Sequence, residues 1–200
     1  MTIVLLVEGA TETALKHKLK AFLDIQAERE GRPKVALRTR DIMSLSEGKL
    51  RGRIRLELSA PQVEAVVGLI DVYPEFTSAT EAKEFLRRAA DGEPRFYPHA
   101  AQYEVEAWLL PYWEKICQRV GVRQASPGPH PEQVNLNNPP SRRLATLYRL
   151  AKPRPRKYVK TIEMAAILRD KDLNVAANQC PELKSLLNTL LMLGNLTPLP

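Results

Sequence analysis

Two short apolar segments that each end near an acidic residue constrain the fold of this chain more than any other feature. The first, Ile3–Leu6, precedes Glu8 and a helical pattern that starts at Ala14. The second, Val66–Ile70, is followed directly by Asp71. Such segments are typical of buried strands in an open α/β sheet, where ligands bind at the carboxyl ends of the strands. The pattern therefore predicts two carboxylates at one edge of the sheet.

The order of the elements predicts an α/β fold, with a mostly parallel sheet flanked by helices and a helical C-terminal extension. We expect residues 1–120 to form the α/β domain, 121–140 a proline-rich loop, and 141–200 a helical extension packed on the same domain. Two segments leave alternatives open. Met43–Ser59 fits either a strand or a short helix, and Glu104–Val120 fits a long helix that Pro111 kinks or divides.

The net charge of +7 is concentrated in two basic clusters, Lys49–Arg55 and Arg149–Lys160. One interpretation is an ordinary solvated surface. The other is a track for the phosphate backbone of a nucleic acid, because each neutralised phosphate releases counterions. Few aromatic residues lie near the second cluster, which disfavours a base-stacking platform for single strands. An acidic protein is a third partner that this charge could attract.

The sequence contains no pattern typical of a membrane segment or a signal peptide. No apolar run approaches the roughly 18 to 20 residues that span a bilayer, and the apolar run near Met1 is short and follows no basic region. Cys117 and Cys180 show no metal-ligand spacing and predict buried thiols rather than a disulfide. We therefore expect a cytoplasmic protein without a membrane partner.

Acidic residues at strand ends predict a site for a divalent cation. Mg²⁺ prefers oxygen ligands and keeps several waters, so carboxylates on rigid strand ends suit it. Glu8 and Asp71 are the first two candidates, although Glu8 could instead favour the positive end of a helix and Asp71 could be a turn residue ahead of Pro74. Glu106 is the predicted third ligand, because it precedes an apolar run and should face inward more readily than Glu104.

Three motifs, in order along the chain, resemble a small bacterial Toprim-like family of unknown function. They are Val-Glu-Gly-x-Thr-Glu at 7–12, Asp71-x-Tyr73 after a buried strand, and Glu104-x-Glu106-Ala107 at the start of a helix. Later segments are similar as well, so the resemblance covers nearly the whole chain. These segments are Asn138-Pro139-Pro140-Ser141, Lys157-Tyr158-x-Lys160 and Cys180-Pro181-Glu182-Leu183.

The resemblance implies a Toprim-like, Rossmann-like sheet and the activity of the overcoming-lysogenization-defect nucleases. Toprim enzymes place one Glu after the first strand and an Asp-x-Asp pair after a later strand. Glu8 and Asp71 match this pattern, whereas Tyr73 stands where the second acid of the pair is expected. Glu106 would then supply the missing ligand. Relatives of this kind often neighbour ATPases in bacterial defence loci, which implies a role against phage or plasmid DNA.

Our first hypothesis is a nuclease that depends on Mg²⁺ or Mn²⁺. Glu8, Asp71 and Glu106 would bind the ion, while Lys157 and Lys160 would neutralise charge that develops on the cleaved phosphate. His99 could act as a general base, contact phosphate, or be a strand-end residue without a catalytic role. The residues predicted to bind nucleic acid, most readily DNA, are Arg142, Arg143, Arg154, Arg156, Lys157 and Lys160.

The second hypothesis is a catalytically degenerate subunit. Such a subunit would bind nucleic acid or a partner protein, such as an ATPase, within a defence complex. Tyr73 is the residue that favours this hypothesis, because it removes one predicted metal ligand.

Overall fold

Parallel strands form the sheet around which the chain folds. The computed structural model describes residues 1–42, 44–133 and 138–200, except for the side chains of residues 10–13. Within these ranges the sheet has four strands in the order β2-β1-β3-β4, and all neighbouring pairs are parallel, which confirms the predicted α/β class. The strands are β1 (Thr2–Val7), β2 (Ala36–Asp41), β3 (Val63–Asp71) and β4 (Phe96–Ala101).

Helices follow each of the first three strands and make up most of the chain after β4. Those that follow the first three strands are α1 (Ala10–Arg29), α2 (Glu47–Leu58) and α3 (Ala79–Ala90). After β4 come a 3₁₀ helix (Val105–Tyr112), α4 (Trp113–Val120) and a short 3₁₀ turn (Pro131–Gln133). The last helices are α5 (Pro140–Arg149), α6 (Lys160–Leu168), α7 (Leu173–Ala177) and α8 (Pro181–Leu193).

The segment for which the sequence left strand and helix open contains helix α2. Ile54 and Leu58, four residues apart, are buried, whereas Leu56 between them is 60% exposed. A strand would bury alternate residues, so this burial follows the helical period although the sequence alternates apolar and charged residues. Met43, at the start of the segment, lies outside the described residues.

Pro111 divides the predicted long helix into two helices of different geometry. The first is the 3₁₀ helix, which contains Pro111, and the second is α4. Proline has no N–H to donate, so a regular α-helix cannot pass through this position without losing a hydrogen bond. The 3₁₀ helix starts after Glu104, which has an extended backbone. This change of geometry decides where the two glutamates at its start point.

The two faces of the sheet are covered by different sets of helices. Helices α2 and α3 pack on one face, with Val4 and Val66 of the sheet in their core. On the other face, Leu5 of β1 shares a core with α1 and with the helices of residues 141–200. Helix α1 therefore leaves β1 toward one face while α3 leaves β3 toward the other. The crevice between the carboxyl ends of β1 and β3 is the topological switch point, where open α/β sheets bind ligands.

Of the helices in the described ranges, none combines the length and apolar character needed to cross a membrane.

Gly68, in the middle of β3, allows Phe96 of β4 to pack closely against the strand. A Cβ atom at Gly68 would lie 2.7 Å from Cζ of Phe96, which is itself buried. We expect Gly68→Ala to lower the free energy of unfolding by about 1–3 kcal/mol through overpacking, measured by denaturant titration. Gly52→Ala is the matched control, because in the described structure nothing outside the backbone of α2 itself lies within 4 Å of a Cβ atom at that position. There alanine should stabilise the helix by about 0.5–1 kcal/mol. Equal effects at both positions would contradict this account of the packing.

Candidate active site

Glu8 and Asp71 meet at the switch point of the sheet. Val7, at the end of β1, pairs with Leu69, and β3 continues to Asp71. The backbone N–H of Asp71 donates a long hydrogen bond of 3.4 Å to Oε2 of Glu8. The two acidic residues that the sequence placed at one sheet edge are therefore neighbours.

The start of the 3₁₀ helix lies against the same edge. Oδ1 of Asp71 accepts a hydrogen bond of 2.9 Å from the backbone N–H of Val105. Val105 stands between Glu104 and Glu106 in the sequence, so this bond brings both glutamates beside Asp71. The start of the 3₁₀ helix therefore lies at the sheet edge that also carries Glu8 and Asp71.

Lys160, the first residue of α6, reaches into this acidic group. Its Nζ lies 2.9 Å from Oε1 of Glu106 and 4.0 Å from Oε1 of Glu104. The Glu106 side chain is fully buried, whereas that of Lys160 is 44% exposed. The Lys160 side chain therefore connects the buried carboxylate with the surface. Within the described structure, neither oxygen of Glu106 accepts a hydrogen bond of regular geometry, so the ion pair with Lys160 is its principal compensation.

Glu104 connects the site to helix α5. Its carboxylate accepts hydrogen bonds from the backbone N–H of Ser141 at 2.8 Å and from Ser141 Oγ at 2.7 Å. An acid here satisfies a backbone donor of the first helical turn and lies at the positive end of the helix. The sequence left open whether Glu104 or Glu106 faces the site, and both do, since both are buried and lie near Lys160.

The environment of the site shifts the pKa of two of its carboxyls. Burial raises the pKa of Glu106, and the charge of Lys160 opposes that rise only in part. Partial desolvation also raises the pKa of Glu8, opposed by the hydrogen bond from Asp71 and assisted by the charge of Glu75. Carboxyls with perturbed pKa values in one cluster are typical of functional sites.

Glu8 and Asp71 are candidate ligands of a divalent cation, because the Glu8 carboxylate lies 3.4 Å from the backbone nitrogen of Asp71. In the parts of the chain that are described, no three His, Cys, Asp or Glu side chains are arranged to hold a metal ion. The predicted set of Glu8, Asp71 and Glu106 therefore stays a prediction, and Lys160 pairs with Glu106. Mg²⁺ commonly takes one or two carboxylates and completes its shell with waters and substrate phosphates. The donor chemistry of Glu8 and Asp71 fits that mode of binding.

Several of the predicted nucleic-acid-binding residues flank the acidic group. Arg142 and Arg143 directly follow Ser141, which Glu104 anchors, and Lys157 precedes Lys160 by three positions. Arg142, Arg154 and Lys157 are exposed, and Arg143 is half-buried. The other basic cluster is largely engaged within α2 and α3. Its Arg51 and Arg55 pair with Asp91, and Arg53 pairs with Glu57.

Arg156 differs from its neighbours, because it anchors the linker between α5 and α6. Its Nη2 donates to Oε1 of Glu163 at 3.1 Å, and its guanidinium lies 5.5 Å from the centre of the Tyr148 ring. Glu163 is buried and also accepts hydrogen bonds from Arg119 and the Tyr148 hydroxyl. A direct role of Arg156 on nucleic acid stays a prediction, and the contacts show a structural role.

His99 lies in β4 and contacts α8. Its Nε2 is 2.9 Å from Oγ1 of Thr189. Burial, with the nearby positive charges of Lys83 and Arg87, lowers the pKa of His99 to about 4. The ring is therefore neutral near pH 7, which fits the strand-end interpretation better than a contact with phosphate.

Tyr158 is a residue of the site that the sequence reasoning did not select. Its ring packs edge-on against Tyr148, with 5.2 Å between the centroids, and its hydroxyl is buried without a partner in the described structure. Burial and then the charge of Glu106 raise the pKa of Tyr158. The motif Lys157-Tyr158-x-Lys160 could have indicated Tyr158 as a site residue, because it lies between two lysines that were predicted to bind nucleic acid.

The hydrogen bonds that Glu163 accepts lead to a prediction about how the stability of the fold depends on pH. Burial raises the pKa of Glu163, but the hydrogen bonds from Arg119 and Tyr148 outweigh burial and leave the pKa below the ordinary value of 4.5. Such a carboxyl stabilises the fold above its unfolded-state pKa and loses that effect as pH falls through its folded-state pKa. We expect Glu163→Gln to lower the free energy of unfolding by about 2–3 kcal/mol at pH 7.

The difference between wild type and Glu163→Gln should shrink as the pH falls below about 4.5. Denaturant titrations across pH 3–7 measure it, with Glu114→Gln, an exposed acid on α4, as the control. A difference that stays constant over this range would contradict the assignment.

Comparison with known protein families matches residues 7–191 to a model described as a domain of unknown function, DUF4276. Searches of curated proteins and of solved structures found no match. The description of the family includes no activity, so the relationship to Toprim domains stays a prediction. The match spans nearly all of the sequence, and the chain therefore belongs to the DUF4276 family.

Proposed function

We propose that this protein is a nuclease dependent on Mg²⁺ or Mn²⁺, with its active site where β1 and β3 end. The observation that carries the proposal is the hydrogen bond from the backbone N–H of Asp71 to the Glu8 carboxylate at the topological switch point, with the partly exposed side chain of Lys160 near Asp71. Two carboxylates that can hold a cation and one ammonium that can stabilise an anion are groups that metal-dependent phosphodiester hydrolysis uses.

Each residue has a separate task in this proposal. Glu8 and Asp71 would hold the divalent ion, which supplies a Lewis acid and lowers the pKa of a bound water. Glu106 and Glu104 hold the ammonium of Lys160 in place. The exposed side of that ammonium would neutralise charge on the phosphate. That Glu106 binds the ion directly stays a prediction.

The basic residues around the site would bind the nucleic-acid backbone. Arg142 and Arg143 directly follow Ser141, which contacts Glu104, and Lys157 lies three positions before Lys160, so a strand bound to them would lie near the acidic residues. The resemblance of the sequence motifs to Toprim nucleases supports this substrate class. It also supports a role in bacterial defence against phage or plasmid DNA.

A second candidate function is that of a degenerate subunit, which binds nucleic acid or a partner such as an ATPase without cleaving it. Two observations favour it. Tyr73 stands in the place of a second acid and is half-buried, with its backbone N–H donating to the carbonyl of Tyr103. Lys160 already supplies a positive charge at Glu106.

Cleavage of DNA by a Glu8 variant tests the first candidate. We expect wild type to nick plasmid DNA or cut single strands in Mn²⁺, and Glu8→Gln to lose at least about 100-fold in rate, because a metal ligand is worth several kcal/mol in such a reaction. Glu64→Gln is the matched control, since Glu64 is an exposed acid at the opposite end of β3. Equal cleavage by Glu8→Gln would remove Glu8 from the mechanism. Binding of DNA by wild type with no cleavage in either metal would favour the degenerate subunit.

The salt dependence of DNA binding tests whether the basic residues around the site bind the phosphate backbone. The triple variant Arg142→Gln/Arg154→Gln/Lys157→Gln should bind more weakly. Its slope of log affinity against log salt should be shallower by about 0.9 for each duplex phosphate that it no longer neutralises, or by about 0.7 on a single strand. Lys49→Gln is the control, because Lys49 is exposed on α2 at the other face of the sheet. A shallow slope in wild type that the triple variant leaves unchanged would exclude a phosphate track.

A further inference from the structure

We infer that Lys160 takes the place of a second divalent cation, so that the site binds one metal ion at Glu8 and Asp71 and uses the ammonium as a built-in cation at Glu104 and Glu106. This inference rests on the proposed function, because it assumes that Glu8 and Asp71 bind a metal ion. It goes further by fixing the number of ions and by giving Glu106 a task other than ligation.

The position of the ammonium is the first support. It lies 2.9 Å from one glutamate and 4.0 Å from the other, which is where a cation shared by two carboxylates would lie. A divalent ion bound to the same oxygen of Glu106 would stand within a few ångströms of the ammonium. Repulsion between these like charges makes the two occupants exclusive of one another.

The backbone at Lys160 is held firmly, which separates it from an ordinary surface lysine. Lys160 is the first residue of α6, and Tyr158 just before it is buried. Arg156 and Glu163, on either side, pair with each other at 3.1 Å. The carbonyl of Val159 accepts the backbone N–H of Glu163 in the first turn.

The burial of the groups around the ammonium is the second support. Lys160 is the charged partner of Glu106, and the hydroxyl of Tyr158 is buried without a hydrogen-bond partner in the described structure. Glu106 is fully buried and Tyr158 is only 9% exposed. A carboxylate so far removed from water stays ionised only beside a cation. If the ammonium were taken away, the same oxygens would be free to bind a metal ion.

Counting bound Mn²⁺ in lysine variants tests the inference. Wild type at pH 8, titrated by calorimetry and by electron paramagnetic resonance, should bind one ion per chain. Lys160→Met, which removes the charge but keeps the length of the side chain, should bind two, and the two ions should show magnetic coupling. Lys160→Arg should bind one. Lys160→Met/Glu106→Gln should return to one, because the carboxylate that attracts the second ion is gone.

Thermal unfolding keeps the test informative if Lys160→Met folds poorly without metal. Mn²⁺ should raise the melting temperature of that variant by more than it raises that of wild type, since the ion replaces the stabilising ammonium. Lys49→Met, which loses an exposed charge on α2, should show the wild-type shift. Equal shifts in Lys160→Met and wild type would overturn the inference.

The outcomes separate this inference from the proposed function. No Mn²⁺ binding by wild type at millimolar concentration would overturn both. One ion in wild type and still one in Lys160→Met would overturn only the role of Lys160. Two ions in wild type would overturn that role as well and would leave the nuclease proposal standing.

Discussion

The parallel pairing of β1 with β3 is the constraint on which the candidate site depends. These two strands are adjacent in the sheet although 55 residues separate their ends at Val7 and Val63. The helices that follow them, α1 and α3, pack on opposite faces and so open a crevice at their carboxyl ends. A polar side chain placed just after either strand must enter that crevice. Glu8 and Asp71 occupy those positions, and neither would face the other if the strand order were different.

The acidic residues of the site also attach the second half of the chain to the sheet edge. Asp71 accepts from the start of the 3₁₀ helix, Glu104 accepts from the start of α5, and Glu106 pairs with the start of α6. Each carboxylate therefore meets the positive end of a helix or a lysine on that end, an arrangement that is favourable in itself. The same contacts place basic residues of α5 and α6 around the carboxylates. Structure and proposed chemistry thus use the same interactions, which is why variants of these residues need both a functional readout and a measure of folding.

Local patterns were enough to predict the sheet and two of the site residues. Val4, Leu5, Val66 and Val67 are apolar on both faces because helices cover both sides of the sheet, and an acid directly after such a run has only the carboxyl edge to occupy. The alternation around Leu56 was ambiguous, because it fits a strand as well as the exposed side of a helix. The packing of this segment against α3 and β3 is what favours the helix.

The remaining parts of the site depend on pairings between residues that are distant in the sequence. Nothing near Glu163 indicates that Arg119, 44 positions earlier, will meet it. The same is true of Glu104 with Ser141 and of Glu106 with Lys160. The sequence singled out these residues, but it did not indicate which of them would contact one another. Arg156 is an example of this limit of local sequence patterns. Its place in a basic cluster predicted contact with nucleic acid, whereas in the structure its guanidinium donates to the buried carboxylate of Glu163.

The central claim is that Glu8 and Asp71 bind a divalent cation at the switch point of the sheet. Crystals soaked in Mn²⁺ and measured at a wavelength where manganese scatters anomalously test it most directly. The account predicts one anomalous peak between these two carboxylates, with Lys160 still in contact with Glu106. Crystals that show no peak there, with both carboxylates occupied by arginine or lysine side chains, would contradict it.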